Sequence, residues 1–227
     1  MIVACDAPDL AQTLRLARTL RGVVHTVKVG SVLFTAAGPA AITQLQKLGF
    51  RVFLDLKFHD IPSTVERSCD AAARHGVWML TVHACGQREM LEAAMAGARR
   101  GARAGSSRPK IVGVTVLTSV GSGKAVGVAG RALALAVEAK RAGLDGVVAS
   151  AHEAAAIRRR VGPRALIVCP GIRPASATHD DQARVASPME AVARGADFLV
   201  VGRPIAGAAD PRRAAVSIIE EIRNARS

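Results

Sequence analysis

The chain has 227 residues, of which 50% are hydrophobic, and its 31 basic and 18 acidic side chains give a formal net charge of +13. No apolar stretch reaches the roughly eighteen uncharged residues of a membrane span, and the first six residues lack the features of a signal peptide. We therefore expect a cytoplasmic protein with one domain over residues 1–227 and no membrane partner.

Short β-branched segments alternate along the chain with longer segments of helical period, a pattern typical of parallel β-sheets. Eight strands are expected near 2–6, 24–29, 51–57, 77–83, 110–117, 145–149, 165–169 and 197–201. Helices are expected after each strand, for example at 9–20, 36–48, 61–75, 87–101 and 126–142. This pattern predicts an α/β fold, a single (β/α)₈ TIM barrel. A doubly wound open sheet is the alternative, but Asp6-Ala7-Pro8-Asp9 stands where its G-x-G-x-x-G fingerprint would follow the first strand.

Polar residues stand at the predicted carboxyl ends of all eight strands, where barrels of this type carry their chemistry. They are Asp6, Lys28, Asp55 and Lys57, His83, Thr118 and Ser119, Ser150, Arg173 and Arg203. Together they predict a charged mouth.

The third strand carries the most informative segment, residues 55–64. Strand side chains alternate between faces, so Asp55 and Lys57 should both face the barrel axis while the leucines beside them face the helices. Lys28 should face the axis for the same reason. Only six of the 31 cations are lysines, and lysine is the one that readily gives up a proton. We therefore expect an alternating array of charges: Lys28, Asp55, Lys57 and Asp60.

Two turns near the end of the chain have the composition of a phosphate site. Gly171 and Arg173 follow the seventh predicted strand, and Gly202 and Arg203 follow the eighth. Glycines let backbone amides approach phosphate closely, and arginine offers a forked pair of donors. Gln182, in the long segment after Arg173, is placed as part of a lid over the ligand.

Over nearly its whole length the sequence resembles the orotidine 5′-phosphate decarboxylase family. The matching segments are Asp6, Val27-Lys28-Val29-Gly30, the D-x-K-x-x-D-I-P-x-T block at 55–64, Leu117-Thr118-Ser119, Pro170-Gly171-Ile172-Arg173 and Val201-Gly202-Arg203-Pro204. The resemblance implies conversion of orotidine 5′-phosphate to uridine 5′-phosphate and CO₂, with no cofactor and no metal.

The same resemblance implies a role for each matching residue. Lys57 is expected to be the proton donor, within a network of Lys28, Asp55 and an Asp60 supplied by the second subunit of a homodimer. The remaining substrate contacts would come from Asp6 and Lys28 at the ribose, Thr118 near the pyrimidine, Ile61 and Thr64 across the interface, and Gln182, Gly202, Arg173 and Arg203 at the phosphate.

The sequence leaves one alternative function open and argues against two others. A magnesium-dependent keto-gulonate phosphate decarboxylase or hexulose phosphate synthase also carries a D-x-K-x-x-D strand. The net charge would suit nucleic acid, but five Phe, one Trp and no Tyr give little for bases to stack on, so no nucleic-acid partner is expected. The fragment at 121–124 departs twice from a P-loop.

Cys5, Cys69, Cys85 and Cys169 are expected to be buried, reduced thiols, and Arg158-Arg159-Arg160 a solvated helix face.

Overall fold

The computed structural model describes residues 1–117, 125–174 and 185–226. Eight parallel strands close into a barrel in the order β1 to β8, with β8 paired to β1. The strands are β1 Ile2–Cys5, β2 Thr26–Gly30, β3 Arg51–Phe58, β4 Met79–His83, β5 Lys110–Val114, β6 Gly146–Val148, β7 Leu166–Cys169 and β8 Phe198–Val201. The predicted (β/α)₈ barrel and all eight strand positions are confirmed.

Helices follow the strands around the outside of the barrel. They are α1 Leu10–Leu20, α2 Ser31–Ala37, α3 Pro39–Lys47, α4 Pro62–Arg74, α5 Gln87–Arg100, α6 Ala125–Arg141, α7 Ala151–Val161, α8 Pro188–Ala193, α9 Arg203–Ala206 and α10 Pro211–Asn224. Among the residues that the structure describes, no helix is both long and apolar enough to cross a membrane.

Two predicted boundaries were wrong. The helix expected at 36–48 is two helices, because Gly38 adopts a left-handed φ of 57° and Pro39 starts a new helix at its first position. The fifth strand, expected to run to residue 117, ends at Val114. The expected strand end at Thr118 and Ser119 lies outside the described residues.

The apolar core has two layers that follow the alternation of the strands. Ile2, Ala4 and Phe53 point into the barrel, whereas Val3, Cys5 and Leu54 pack under the helices. At the amino ends of the strands, the rings of Trp78 and Phe198 meet edge to face with centroids 5.2 Å apart. Side chains therefore fill the barrel at the amino ends of the strands, and its open end lies at their carboxyl ends.

Two expectations about side-chain burial need correction. Cys85 is exposed, whereas Cys5, Cys69 and Cys169 are buried. Arg158 is not a solvated side chain: its guanidinium donates to the carbonyls of Gly162, Pro163, Ala165 and Gly195 and pairs with Asp197. A single arginine thus ties the end of α7 to the starts of β7 and β8.

Candidate active site

A cavity of about 290 Å³ lies at the carboxyl ends of the strands. The apolar part of its lining is formed by Phe53, Val114, Val148, Ile172, Val200 and other side chains. Seven of the predicted site residues line it: Asp6, Lys28, Asp55, Lys57, Arg173, Gly202 and Arg203. Strands from opposite ends of the sequence therefore supply one site, as the strand-end pattern predicts.

Four charged side chains form a continuous chain of ion pairs along one wall. Lys28 Nζ lies 2.9 Å from Asp6 Oδ1 and 3.5 Å from Asp55 Oδ2. Lys57 Nζ lies 2.9 Å from Asp55 Oδ1. The side chains of Lys28 and Asp55 are only 10% and 14% exposed, whereas those of Asp6 and Lys57 are 50% and 33% exposed. The inner pair is thus fixed in the protein, and the outer two groups face the space a ligand would fill.

Asp55 is held in its ionised form by its neighbours. Burial alone raises the pKa of this carboxyl, but Lys28 and Lys57 and the hydrogen bonds from Lys57 and Thr81 outweigh burial, so the pKa lies below its usual value. A carboxylate here is an ion-pair partner shared by Lys28 and Lys57.

The backbone at Lys57 is unusual. Its φ is 52°, a left-handed conformation that non-glycine residues rarely adopt. The pairing of β3 with β4 shifts register between Leu54 and Phe58, so strict alternation breaks down at this point. Asp55 and Lys57 do meet at the cavity as expected, but the irregular strand, and not simple alternation, determines the position of Lys57.

Two residues of this wall were given no role from the sequence. Thr81 is fully buried; its Oγ1 donates to Asp55 Oδ1 at 3.0 Å and accepts from the Lys57 N–H at 2.8 Å. Gly30 ends β2 where a Cβ atom would lie 2.6 Å from Asp6 Oδ1. A glycine at the end of a strand was the available signal for Gly30, while nothing in the sequence of β4 marked Thr81.

The turns after β7 and β8 supply the other wall. Gly171 has a φ of 73° and its carbonyl accepts from Ala186 N at 3.3 Å, while Arg173 N donates to Ala186 O at 3.0 Å. Arg173 is only 8% exposed, whereas Arg203, the first residue of α9, is exposed. The predicted arginines and glycines therefore share the cavity with the ion-pair chain, in a frame fixed by backbone hydrogen bonds.

The other predicted residues lie elsewhere. Asp60, Ile61 and Thr64 lie on the segment that leads from β3 into α4 and do not line the cavity; Asp60 Oδ1 accepts from Ile61 N at 2.7 Å, and Ile61 is 64% exposed. Thr118 and Gln182 lie outside the described residues.

His83 and Ser150, two further strand-end residues, have different surroundings. The rings of His83 and His59 lie 5.5 Å apart, and burial, His59 and Lys57 lower the pKa of His83. Ser150 caps α7 by accepting from His152 N at 3.3 Å. Within residues 1–117, 125–174 and 185–226, no three His, Cys, Asp or Glu side chains group as ligands for a metal ion.

A model of the "Orotidine 5′-phosphate decarboxylase / HUMPS family" matches residues 1–218. The chain belongs to this family. Its relatives include the orotidine 5′-phosphate decarboxylases of Nitrosococcus oceani, 47% identical over 99% of this chain and 97% of that protein, and of Halorhodospira halophila, 50% identical over 98% and 95%.

Solved structures agree with this assignment. The crystal structure of orotidine 5′-phosphate decarboxylase from Lactobacillus acidophilus has a TM-score of 0.86 and 37% identity, over 98% of each chain. The enzyme of that name from Pyrococcus horikoshii, at 24% identity and a TM-score of 0.80, shares the fold. The family therefore spans the whole barrel, including both walls of the cavity.

Proposed function

We propose that this protein converts orotidine 5′-phosphate to uridine 5′-phosphate and CO₂, the last step of de novo pyrimidine nucleotide synthesis. The observation that carries the proposal is that an ordered Asp6–Lys28–Asp55–Lys57 ion-pair chain and two glycine-arginine turns line the same cavity. The relatives that share 45–50% of its residues bear the name of this enzyme.

Lys57 would be the proton donor in this reaction. When the bond between C6 and the carboxylate breaks, its electron pair stays on C6, CO₂ leaves, and no ring resonance spreads the charge. A fixed ammonium beside C6 stabilises that charge as it develops, and then transfers a proton to the carbon. Asp55 accepts a hydrogen bond from Lys57 Nζ at 2.9 Å and so orients it. Lys57 is reprotonated from solvent for the next turnover.

The remaining cavity residues would bind the parts of the nucleotide that do not react. Asp6, half exposed at the end of the ion-pair chain, and Lys28 would hold the ribose hydroxyls. Arg173, Arg203, Gly202 and Gln182 would bind the phosphate, and Thr118 would lie near the base. Arginine pairs with phosphate through two parallel hydrogen bonds. Binding energy from the phosphate would also order the mouth around the reacting carbon, which raises turnover as well as affinity.

We also propose a homodimer with shared active sites. Asp60, Ile61 and Thr64 lie beside the mouth but outside the cavity of their own chain, and Ile61 presents an apolar side chain that is 64% exposed. A second copy of the chain would bury Ile61 and bring Asp60 to the Lys57 of its partner. Mixing inactive Lys57→Ala with inactive Asp60→Ala should then restore part of the activity, because some mixed dimers regain one intact site. No recovery after confirmed subunit exchange would contradict the shared site.

The function itself is tested by the loss of the ultraviolet absorbance of orotidine 5′-phosphate with purified enzyme in excess EDTA. Rapid loss of the phosphorylated substrate, with much slower loss of orotidine, would support the decarboxylase and its use of the phosphate. Activity on a sugar phosphate that appears only with added magnesium, and none on orotidine 5′-phosphate, would favour the magnesium-dependent relatives instead.

A further inference from the structure

Thr81 lies at the one irregular point in the pairing of β3 with β4. Leu54 pairs with Leu80 and Phe58 pairs with Val82, so the three residues 55–57 lie opposite Thr81 alone. Extra residues in one strand leave backbone groups without partners in the ladder. The Lys57 N–H is one such group, and it donates to the Thr81 hydroxyl at 2.8 Å instead.

The Thr81 hydroxyl is both a donor and an acceptor of hydrogen bonds. It accepts from the Lys57 backbone and donates to Asp55 Oδ1 at 3.0 Å, and the same Oδ1 accepts from Lys57 Nζ at 2.9 Å. A closed ring of hydrogen bonds results, which contains both the backbone and the ammonium of Lys57. Thr81 has a relative exposure of 0%, so its hydroxyl is shielded from solvent.

This ring explains how Lys57 keeps a left-handed backbone with a φ of 52°. A strained conformation persists only where the surrounding structure holds it in place. We propose that Thr81 is a positioning residue, whose hydroxyl fixes the Lys57 backbone and the Asp55 carboxylate so that Lys57 Nζ is directed at the reacting carbon. The inference deepens the function proposed above and rests on it.

The test compares three single variants with wild type. Thr81→Val removes both hydrogen bonds and keeps the branched shape, whereas Thr81→Ser keeps the hydroxyl. Thr26→Val is the matched control, because Thr26 is equally buried, lies at the other end of the barrel, and accepts from Arg51 Nε at 3.2 Å. We expect kcat to fall by about 10- to 100-fold in Thr81→Val with KM within about threefold, and kcat to stay within about threefold in Thr81→Ser and Thr26→Val.

The pH dependence of kcat distinguishes positioning from mere loss of packing. The Thr81 hydroxyl is one of the donors that lower the pKa of Asp55, so its removal should shift the acid limb of kcat to higher pH. The charged or titratable neighbours of Asp55, which are Lys28, Lys57 and His83, are unchanged in Thr81→Val. Thr81→Ser and Thr26→Val should keep the acid limb of wild type.

Several outcomes would overturn the inference. One is a folded Thr81→Val enzyme with kcat within about threefold of wild type and an unshifted acid limb. Another is an equal loss in Thr81→Ser, which would assign the effect to the methyl group. Should Thr81→Val not fold, Thr81→Cys, which is close in volume and a weak donor, carries the same expectation. An inactive wild type would refute the proposed function alone; a crystal structure of the variant then tests Thr81, through the φ of Lys57 and its distance to Asp55.

Discussion

Substituting Gly30 with alanine should disrupt the ion-pair chain without disturbing the barrel. The backbone of Gly30 has φ −94° and ψ −179°, which any residue adopts, so alanine introduces no backbone strain. Its Cβ atom would instead lie 2.6 Å from Asp6 Oδ1 and 2.9 Å from Lys28 Nζ. Because ordinary contacts are about 3.5 Å, each charged atom must move by about 0.5–1 Å.

Both atoms stand at the ends of flexible side chains, so we expect the fold to adjust. The Lys28–Asp6 pair at 2.9 Å is the contact that must open, and Asp55 lies next along the chain of charges. A displacement of this size at catalytic groups costs up to about 100-fold in rate. We therefore expect kcat/KM for orotidine 5′-phosphate to fall by about 10- to 100-fold in Gly30→Ala, with a melting temperature within a few degrees of wild type.

The matched control is Gly130→Ala in α6, where an added Cβ meets nothing within 4 Å. Alanine is the better helix former, so this variant should keep full activity and gain about 0.5–1 kcal/mol of stability. Steady-state kinetics and thermal unfolding of both variants decide the matter. Unchanged kcat/KM in Gly30→Ala would show that the Asp6–Lys28 geometry is not required for turnover.

Three further predictions concern the phosphate wall, the acid stability and one structural arginine. Arg173→Ala and Arg203→Ala should each lower kcat/KM for orotidine 5′-phosphate by at least about tenfold and leave the slow reaction of orotidine unchanged; an equal loss with both substrates would contradict a phosphate role. The pKa of Asp55 is lowered on folding, so its contribution to stability is complete above the ordinary value of 3.8 and is lost as pH falls through the folded value. Urea unfolding of Asp55→Asn should accordingly show a weaker loss of stability than wild type below about pH 4, and parallel curves would argue against the shift. Arg158→Ala should lower the free energy of unfolding by about 2–3 kcal/mol, whereas the exposed neighbour Arg159→Ala should change it by less than about 0.5 kcal/mol in the same denaturant titration.

The sequence predicted what depends on local pattern. Strand positions follow from β-branched segments, and the mouth follows from the rule that parallel strands in a barrel end on one side. The sequence predicted Asp6 as a contact of the ribose but did not predict its ion pair with Lys28. That 2.9 Å contact depends on the register of β1 against β2. The hydrogen bonds of the Arg158 side chain were also not predicted. Its partners lie at the starts of two strands, and the helical period of α7 carries no information about them.

The wall beside Lys57 shows most clearly where pattern stops being sufficient. Alternation correctly assigned Leu54 to the helix side and brought Asp55 to the mouth, yet it holds only while the two strands stay in register. Register is lost at Thr81, because this one residue of β4 lies opposite three residues of β3. The left-handed backbone of Lys57 is stable there because the Thr81 hydroxyl, on the neighbouring strand, accepts a hydrogen bond from its N–H. This stabilisation depends on both strands, so the sequence of β3 alone does not predict it. A motif such as D-x-K can therefore name the charged groups, while their geometry depends on residues outside it.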